Sequence, residues 1–168
     1  MRATEEDYED VYKLYKESIN KFNIYINYSY EDFCHYHFEN KYMRTYVYKE
    51  DDKVVDFSSF YVRPYNVKNL REEIISAHVS SYSTNTKSPR KILSDLIYTA
   101  KDHGFDMITS TDMCENSKAL SYNDDENNKI TTDLSFVITD DKFNINLFNW
   151  KCPNLEPKQV CFSSIFII

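Results

Sequence analysis

Glycine is nearly absent from this sequence of 168 residues, in which Gly104 is the single example. The Walker loop and the dinucleotide-binding fingerprint bind a diphosphate through closely approaching backbone amides, and each needs several glycines. The sequence therefore excludes these two kinds of phosphate-binding loop. We do not expect this chain by itself to bind the diphosphate of a nucleotide, including that of coenzyme A, through backbone amides.

Long apolar runs and an excess of positive charge are also absent. No run approaches the ~20 residues of a membrane-spanning helix, and the acidic start Glu5-Glu6-Asp7 does not fit a signal peptide. The chain carries 27 acidic and 20 basic residues, with a net charge of -7. This charge disfavours nucleic acids and anionic membrane surfaces as partners and favours basic peptides.

Four cysteines are scattered along the chain without the spacing of a disulfide framework, at positions 34, 114, 152 and 161. This usage predicts reduced thiols in a cytoplasmic protein. Cys34 and His37 could share one helix face and offer two zinc ligands. Because no second ligand pair follows at a typical spacing, we predict no metal site.

Apolar and aromatic residues are plentiful, at 42% and 16% of the chain, and predict one folded domain over residues 1–168. Helical spacing predicts helices at 5–21 and 29–38, and a short one at 115–120. A third long helix begins after the N-cap Ser88 and ends at Gly104. The predicted strands are 42–48, 54–62 (stopped by Pro64), 74–82, 105–109, 134–139, 143–150 and 160–168. This order predicts an α/β domain with a mixed sheet between helices, in which Trp150 is a core residue.

Several segments, in one order, resemble the N-myristoyltransferase family. Residues 55–61 (VDFSSFY) with Pro64 resemble its "TDFLSFYxLP", and residues 112–116 (DMCEN) resemble its "DLMEN". Residues 149–153 (NWKCP) match the family's "NWxCP", and residues 104–106 (GFD) match the start of its "GFDVFNALD". The resemblance runs from about residue 2 to the end of the chain and covers the second half of that enzyme.

The resemblance implies a fold and a reaction. The fold is a single GNAT-like (acyl-CoA N-acyltransferase) domain with a mixed, mostly antiparallel sheet flanked by helices. The reaction transfers a myristoyl group from myristoyl-CoA to the N-terminal glycine of a protein. The half that this chain resembles forms most of the peptide groove, whereas the other half binds myristoyl-CoA.

Four site residues follow from the resemblance. The C-terminal carboxylate, here that of Ile168, is the expected catalytic base, because an α-carboxylate is ionised at neutral pH and can accept the proton of an ammonium. Ser80 and Tyr82 match residues that line the peptide groove. Asp140 matches an aspartate that faces basic residues of the peptide, although a simple turn residue is an equal alternative.

Two departures from the family pattern leave an alternative open. The tail is about three residues longer, and Val137 to Asp141 replace a glycine-rich turn. The first hypothesis is an enzyme that obtains its acyl-CoA site from a partner chain or by forming a homodimer. Its co-substrate would be myristoyl-CoA, and its partners would be peptides or proteins that begin with glycine. The alternative is an inactive half-enzyme that serves as a peptide-binding or dimerisation module.

Overall fold

A four-stranded sheet in the order β2-β3-β4-β5 forms the centre of the fold. The computed structural model describes residues 1–39, 41–66, 73–120, 122–123, 131–132, 134, 136–137, 139 and 148–162. The strands are β2 (Met43–Glu50), β3 (Lys53–Asn66), β4 (Glu73–Thr84) and β5 (Met107–Thr109). The pairs β2–β3 and β3–β4 are antiparallel, and β5 is parallel to β4. The predicted mixed, mostly antiparallel sheet is confirmed.

Within the described ranges, four helices accompany the sheet: α1 (Tyr8–Ile19), α2 (Tyr30–Cys34), α3 (Pro89–Asp102) and α4 (Asn116–Ala119). A π-helical turn, His35–Glu39, continues α2, and 3-10 turns cover Glu5–Asp7 and Pro157–Gln159. Two short strands, β1 (Ile24–Tyr25) and β8 (Val160–Cys161), pair in parallel. A second short pair joins β6 (Tyr122–Asn123) and β7 (Thr131–Thr132).

The sheet is covered on both faces, as its alternating side chains require. Phe57 packs with Val11 and Phe33 on the side of α1 and α2. Phe60, three positions further along β3, packs with Leu93 of α3 in the second core cluster. The predicted helices on both faces of the sheet are therefore confirmed.

The local signals at the helix ends behave as predicted. The Ser88 hydroxyl accepts a hydrogen bond from the Lys91 amide at 3.2 Å, with Pro89 in the first turn of α3. Gly104 follows the C-cap with a φ of 75°, in the left-handed region that glycine tolerates best. These local contacts set where α3 begins and ends, and its packing on the sheet comes from the cluster of Leu93 with Phe60.

Proline does not end β3, so the predicted stop at Pro64 is wrong. Pro64 pairs with Ile75 of β4, and the strand continues to Asn66. The last residue of β3 that pairs with β2 is Tyr61, opposite Met43. Beyond that point no other strand among the described residues pairs with this side of β3, and a proline, which has no N–H donor, is tolerated at such an edge.

The prediction that Trp150 is a core residue is also wrong. Its side chain is 67% exposed, and that of Phe148 is 92% exposed. Phe148 and Asn149 lie in a turn, where Asn149 has a φ of 58°. A turn at these two residues lacks the extended backbone that a buried strand would need. Three predicted strands lie partly outside the described residues: 135 and 138 of strand 134–139, 143–147 of strand 143–150, and 163–168 of the last strand.

In the part of the chain that the structure describes, no helix is both long and apolar enough to cross a membrane.

Candidate functional site

Strands β4 and β5 separate within the sheet. Their pairing begins at Ser76 opposite Met107 and ends at His78 opposite Thr109, whereas β4 continues to Thr84. A β-bulge lies just beyond, because Ser59 faces Ser81 and Phe60 faces Val79, which leaves Ser80 as the extra residue. Bulges of this kind bend a strand and redirect its side chains, often beside a functional site.

A pocket lies where the two strands separate, with an empty volume of about 380 Å³ that includes its open, solvent-filled side. Its walls come from α1 and the turn after it, from the bulged part of β4, from the segment that leads into α4, and from β8. The lining residues are Tyr15, Ser18, Ile19, Lys21, Phe22, Ser80, Ser81, Tyr82, Cys114, Glu115, Asn116 and Cys161. Elements distant in sequence therefore converge on one site.

Two of the four predicted site residues, Ser80 and Tyr82, line this pocket. Ser80 is only 7% exposed. Burial, with a smaller contribution from the Glu115 carboxylate, raises the pKa of Tyr82, so its hydroxyl keeps its proton at neutral pH. The other two predicted residues, Asp140 and Ile168, lie outside the described residues, and their predicted roles are not tested.

A chain of side-chain hydrogen bonds holds Ser81, one of the residues that line the pocket. His37 Nδ1 lies 3.2 Å from the carbonyl oxygen of Phe33, and its Nε2 lies 3.2 Å from Ser81 Oγ. Since a carbonyl only accepts, Nδ1 carries the proton of the neutral ring, and the Ser81 hydroxyl donates to Nε2. Ser81 Oγ also lies 2.9 Å from Ser59 Oγ. Burial lowers the pKa of His37 to about 4, although the Phe33 carbonyl opposes this, so the ring is neutral near pH 7.

The prediction of four reduced cysteines is wrong for two of them. Cys114 and Cys161 form a disulfide across the pocket wall, and Cys34 and Cys152 are free. Folding brings the segment before α4 beside β8, where the Cys114 amide donates to the Val160 carbonyl at 2.9 Å. This proximity cannot be deduced from a sequence separation of 47 residues.

The segment leading into α4 is held by its own polar contacts. Glu115 forms a 2.6 Å ion pair with Lys21, which ties this segment to the turn after α1. Asn116 donates from Nδ2 to Ser110 Oγ at 3.1 Å and to the Thr111 carbonyl at 2.9 Å. Together with the disulfide, these contacts set the position of the pocket wall opposite Ser80.

Among the described residues, no group of three or more His, Cys, Asp or Glu side chains could hold a metal ion. The two residues that suggested zinc have other surroundings. His37 uses both ring nitrogens in hydrogen bonds to Phe33 and Ser81, and Cys34 is a buried free thiol in α2.

The decisive observation on ancestry is a match to the family model described as "Myristoyl-CoA:protein N-myristoyltransferase, C-terminal domain", over residues 1–164. The chain belongs to the N-myristoyltransferase family. The glycylpeptide N-tetradecanoyltransferase of Plasmodium falciparum is 27% identical over 157 residues, which cover 92% of this chain and 36% of that protein. The Drosophila melanogaster enzyme of the same name is 24% identical over 163 residues, covering 95% of this chain and 32% of that protein. The chain thus spans about a third of the length of these relatives.

Solved structures agree on the fold of this N-myristoyltransferase domain. Saccharomyces cerevisiae N-myristoyltransferase, solved with bound myristoyl-CoA and inhibitors, matches with a TM-score of 0.61 and 23% identity, over 72% of this chain and 34% of that one. A ribosomal-protein-alanine N-acetyltransferase from Brucella melitensis matches with a TM-score of 0.60 and 10% identity, over 88% of this chain and 98% of that one. The predicted GNAT-like fold is therefore confirmed.

Sequence reasoning missed most of the pocket. The DMCEN segment carried the family resemblance, yet nothing in it marked Cys114 as a disulfide partner or Asn116 as a pocket residue. The link between His37 and Ser81 joins positions 44 residues apart and depends on the packing of the π-helical turn against β4. No local pattern could have indicated it.

Proposed function

We propose that this chain is the peptide-binding part of an N-myristoyltransferase-like system, which takes part in transferring a myristoyl group from myristoyl-CoA to the N-terminal glycine of proteins. The observation that carries the proposal is the pocket at the separation of β4 and β5, lined by Ser80 and Tyr82, in a chain that matches the family's C-terminal domain. The proposal places the leading residues of a peptide in this pocket.

The chemistry assigned to Ile168 is proton removal. The amino group of a peptide is mostly an ammonium at neutral pH, since its unperturbed pKa is about 8, and it must lose a proton before it can attack a thioester. A terminal carboxylate is ionised at this pH and can accept that proton. Ile168 follows Cys161 by seven residues, which span about 23 Å when extended at ~3.3 Å per residue. Because Cys161 lines the pocket, a tail of this length can reach any part of it.

The acyl-CoA site is assigned to a partner chain or to a second copy of this chain in a homodimer. The acidic net charge of -7 suits peptides that carry basic residues after the leading glycine, and Asp140 is the proposed contact for them. The proposal also places the chain in the cytoplasm, where newly made protein N-termini are accessible; the Cys114–Cys161 disulfide removes reduced thiols as a reason for this placement. Sedimentation of the purified chain tests the dimer, since a strict monomer contradicts the homodimer arrangement.

An acyl-transfer assay tests the enzymatic form of the proposal. The full chain is incubated with myristoyl-CoA and a glycine-leading peptide, and the acylated peptide is measured by mass spectrometry. For the homodimer form, which needs no other chain, the proposal predicts product formation that disappears when Ile168 is deleted. A matched peptide with an acetylated N-terminus is the control, because it has no amine to acylate. Deletion moves the terminal carboxylate to Ile167, so equal product formation with and without Ile168 contradicts the role given to the carboxylate of Ile168.

The alternative is a binding module without catalysis. Val137, which is 76% exposed, stands where the family pattern has a glycine-rich turn. Its branched side chain prevents the close approach of the peptide backbone that glycines allow, which favours a chain that binds a peptide without placing it for acyl transfer. Saturable binding of a glycine-leading peptide together with no acyl transfer supports this alternative. Failure to bind any such peptide contradicts the enzyme and the peptide-binding module and leaves the inactive dimerisation module, which sedimentation tests.

A further inference from the structure

The Cys114–Cys161 disulfide belongs to a pocket wall and not to the buried core. Each of the two residues keeps part of its surface exposed, and both line the pocket. In reducing compartments disulfides are rare, and those that form are usually transient and serve catalysis or redox sensing. A partly exposed disulfide, in a chain that the proposed function places in the cytoplasm, is therefore expected to form and break rather than to persist.

Contacts that do not involve sulfur hold the two cysteines beside each other. The Cys114 amide donates to the Val160 carbonyl at 2.9 Å, and the Asn23 amide donates to the Gln159 carbonyl at 2.8 Å. Cys161 itself belongs to the β1–β8 strand pair. The Cα–Cα distance of 4.6 Å between the cysteines lies in the usual range for a disulfide. After reduction the two thiols therefore remain neighbours, and the bond can form again.

The backbone at Cys114 gives the bond a structural consequence. Its φ is 58°, in the left-handed region that residues with a Cβ rarely adopt. Such a conformation is costly and persists only where the surrounding contacts hold it. The disulfide is the covalent part of that restraint, beside the ion pair of Glu115 with Lys21. Breaking the bond therefore allows the segment before α4 and β8 to move more freely.

We propose that Cys114 and Cys161 form a reversible redox site that controls the mobility of this pocket wall. A hydroperoxide closes the site. One thiolate attacks the O–O bond and becomes a sulfenic acid while an alcohol or water leaves, and the second thiol then displaces the sulfenic oxygen as water and forms the S–S bond. The inference goes beyond the proposed function and requires no bound peptide.

A dithiol opens the site. One of its thiolates attacks a sulfur of the bond and forms a mixed disulfide, and its second thiol then displaces the protein sulfur. Two electrons and two protons pass to Cys114 and Cys161, and the dithiol leaves as a cyclic disulfide.

The first test measures whether the bond opens and re-forms in the folded protein. The full chain is treated with dithiothreitol without denaturant, quenched in acid, denatured and alkylated, and the alkylated cysteines are identified by mass spectrometry. The proposal predicts alkylation of only Cys34 and Cys152 before reduction, of all four cysteines after it, and of only the first two again after one equivalent of hydrogen peroxide. Cys152→Ser is the matched control and should show the same cycle at Cys114 and Cys161.

Two results of this test overturn the proposal. A bond that resists dithiothreitol until denaturant is added is a permanent structural disulfide. Free thiols at Cys114 and Cys161 after peroxide show that the reduced pair does not re-form its bond. Neither result bears on acyl transfer or peptide binding, so the proposed function is tested separately.

The second test compares hydrogen exchange of the oxidised and reduced wild type. Reduction should speed exchange about tenfold or more in the segments that contain Cys114 and Cys161, whereas the amides of Phe57 and Phe60 in β3 should stay protected. Cys161→Ser should exchange fast under both conditions, and Cys152→Ser should behave as the wild type. Equal exchange of the two segments in both forms overturns the proposal. Loss of protection at Phe57 and Phe60 also overturns it, because the bond would then hold the whole fold.

Discussion

Cys114 and Cys161, which are 47 residues apart, form a disulfide with a Cα–Cα distance of 4.6 Å. The bond joins the segment before α4 to β8, and both of its residues line the pocket. β8 pairs with β1 through only two residue pairs, and the disulfide adds a covalent restraint on this short strand.

Removing this disulfide is expected to destabilise the protein. Loop-closure entropy for a 47-residue separation corresponds to about 4 kcal/mol of stability. We expect Cys161→Ser, or reduction of the wild type, to lower the free energy of unfolding by up to that amount in urea denaturation. Cys152→Ser is the matched control, because Cys152 is a free thiol. Equal unfolding midpoints for oxidised and reduced wild type would contradict the bond's structural role.

Asp56 is predicted to be a structural residue. Its carboxylate is fully buried and accepts hydrogen bonds from the amides of Asn85 and Thr86 at 2.7 and 3.0 Å and from the Thr86 hydroxyl. We expect Asp56→Asn to cost about 2 kcal/mol, because an amide cannot accept all of these bonds. Denaturation of Asp56→Asn and of the exposed turn variant Asp52→Asn provides the comparison. Similar stabilities of the two variants would show that the hydrogen bonds to the Asp56 carboxylate contribute little to the stability of the fold.

Burial alone would raise the pKa of the Asp56 carboxyl. The hydrogen bonds from Thr86 and Asn85 outweigh this effect, so the pKa is lowered. A carboxyl with a lowered pKa in the folded state contributes stability above its unfolded pKa of about 3.9. That contribution is lost as the pH falls through the folded value. The difference in the free energy of unfolding between wild type and Asp56→Asn should therefore be largest near pH 6 and should decrease below pH 4.

His37 gives a second pH window. Its pKa is about 4 in the folded state because the ring is buried, against about 6.5 when unfolded. Between these values the unfolded chain binds more protons, so stability decreases as the pH falls, by up to about 1.4 kcal/mol per pH unit. We expect His37→Gln to make this dependence shallower, whereas His35→Gln, at an exposed side chain, should leave it unchanged. Identical slopes for wild type and His37→Gln would show that His37 is not buried.

Gly104 provides a test of backbone conformation alone. Its φ is 75°, and a Cβ built there meets no atom within 4 Å. Gly104→Ala should therefore cost about 1 kcal/mol, from the left-handed conformation and not from a clash. Gly104→Asn should cost less, because asparagine tolerates this region. An alanine variant as stable as the wild type would mean that α3 ends differently.

Much of the fold could be predicted from local signals, and most of the pocket could not. Ser88, Pro89 and Gly104 set the ends of α3 through contacts within a few residues, so their meaning was visible in the sequence. The pairs His37–Ser81 and Cys114–Cys161 join distant positions and exist only after the sheet forms. Trp150 was misassigned for a related reason: its apolar character favoured the core, but the turn at Phe148 and Asn149 leaves it exposed.

The central claim is that the pocket at the separation of β4 and β5 binds the start of a glycine-leading peptide. Titration of such a peptide into the 15N-labelled chain tests it most directly. The account predicts saturable amide shifts that cluster at Ser80, Ser81, Tyr82 and Asn116 and that weaken when the peptide's N-terminus is acetylated. Shifts confined to residues outside the pocket, such as the exposed Tyr98 of α3, or no shifts at all, would contradict it.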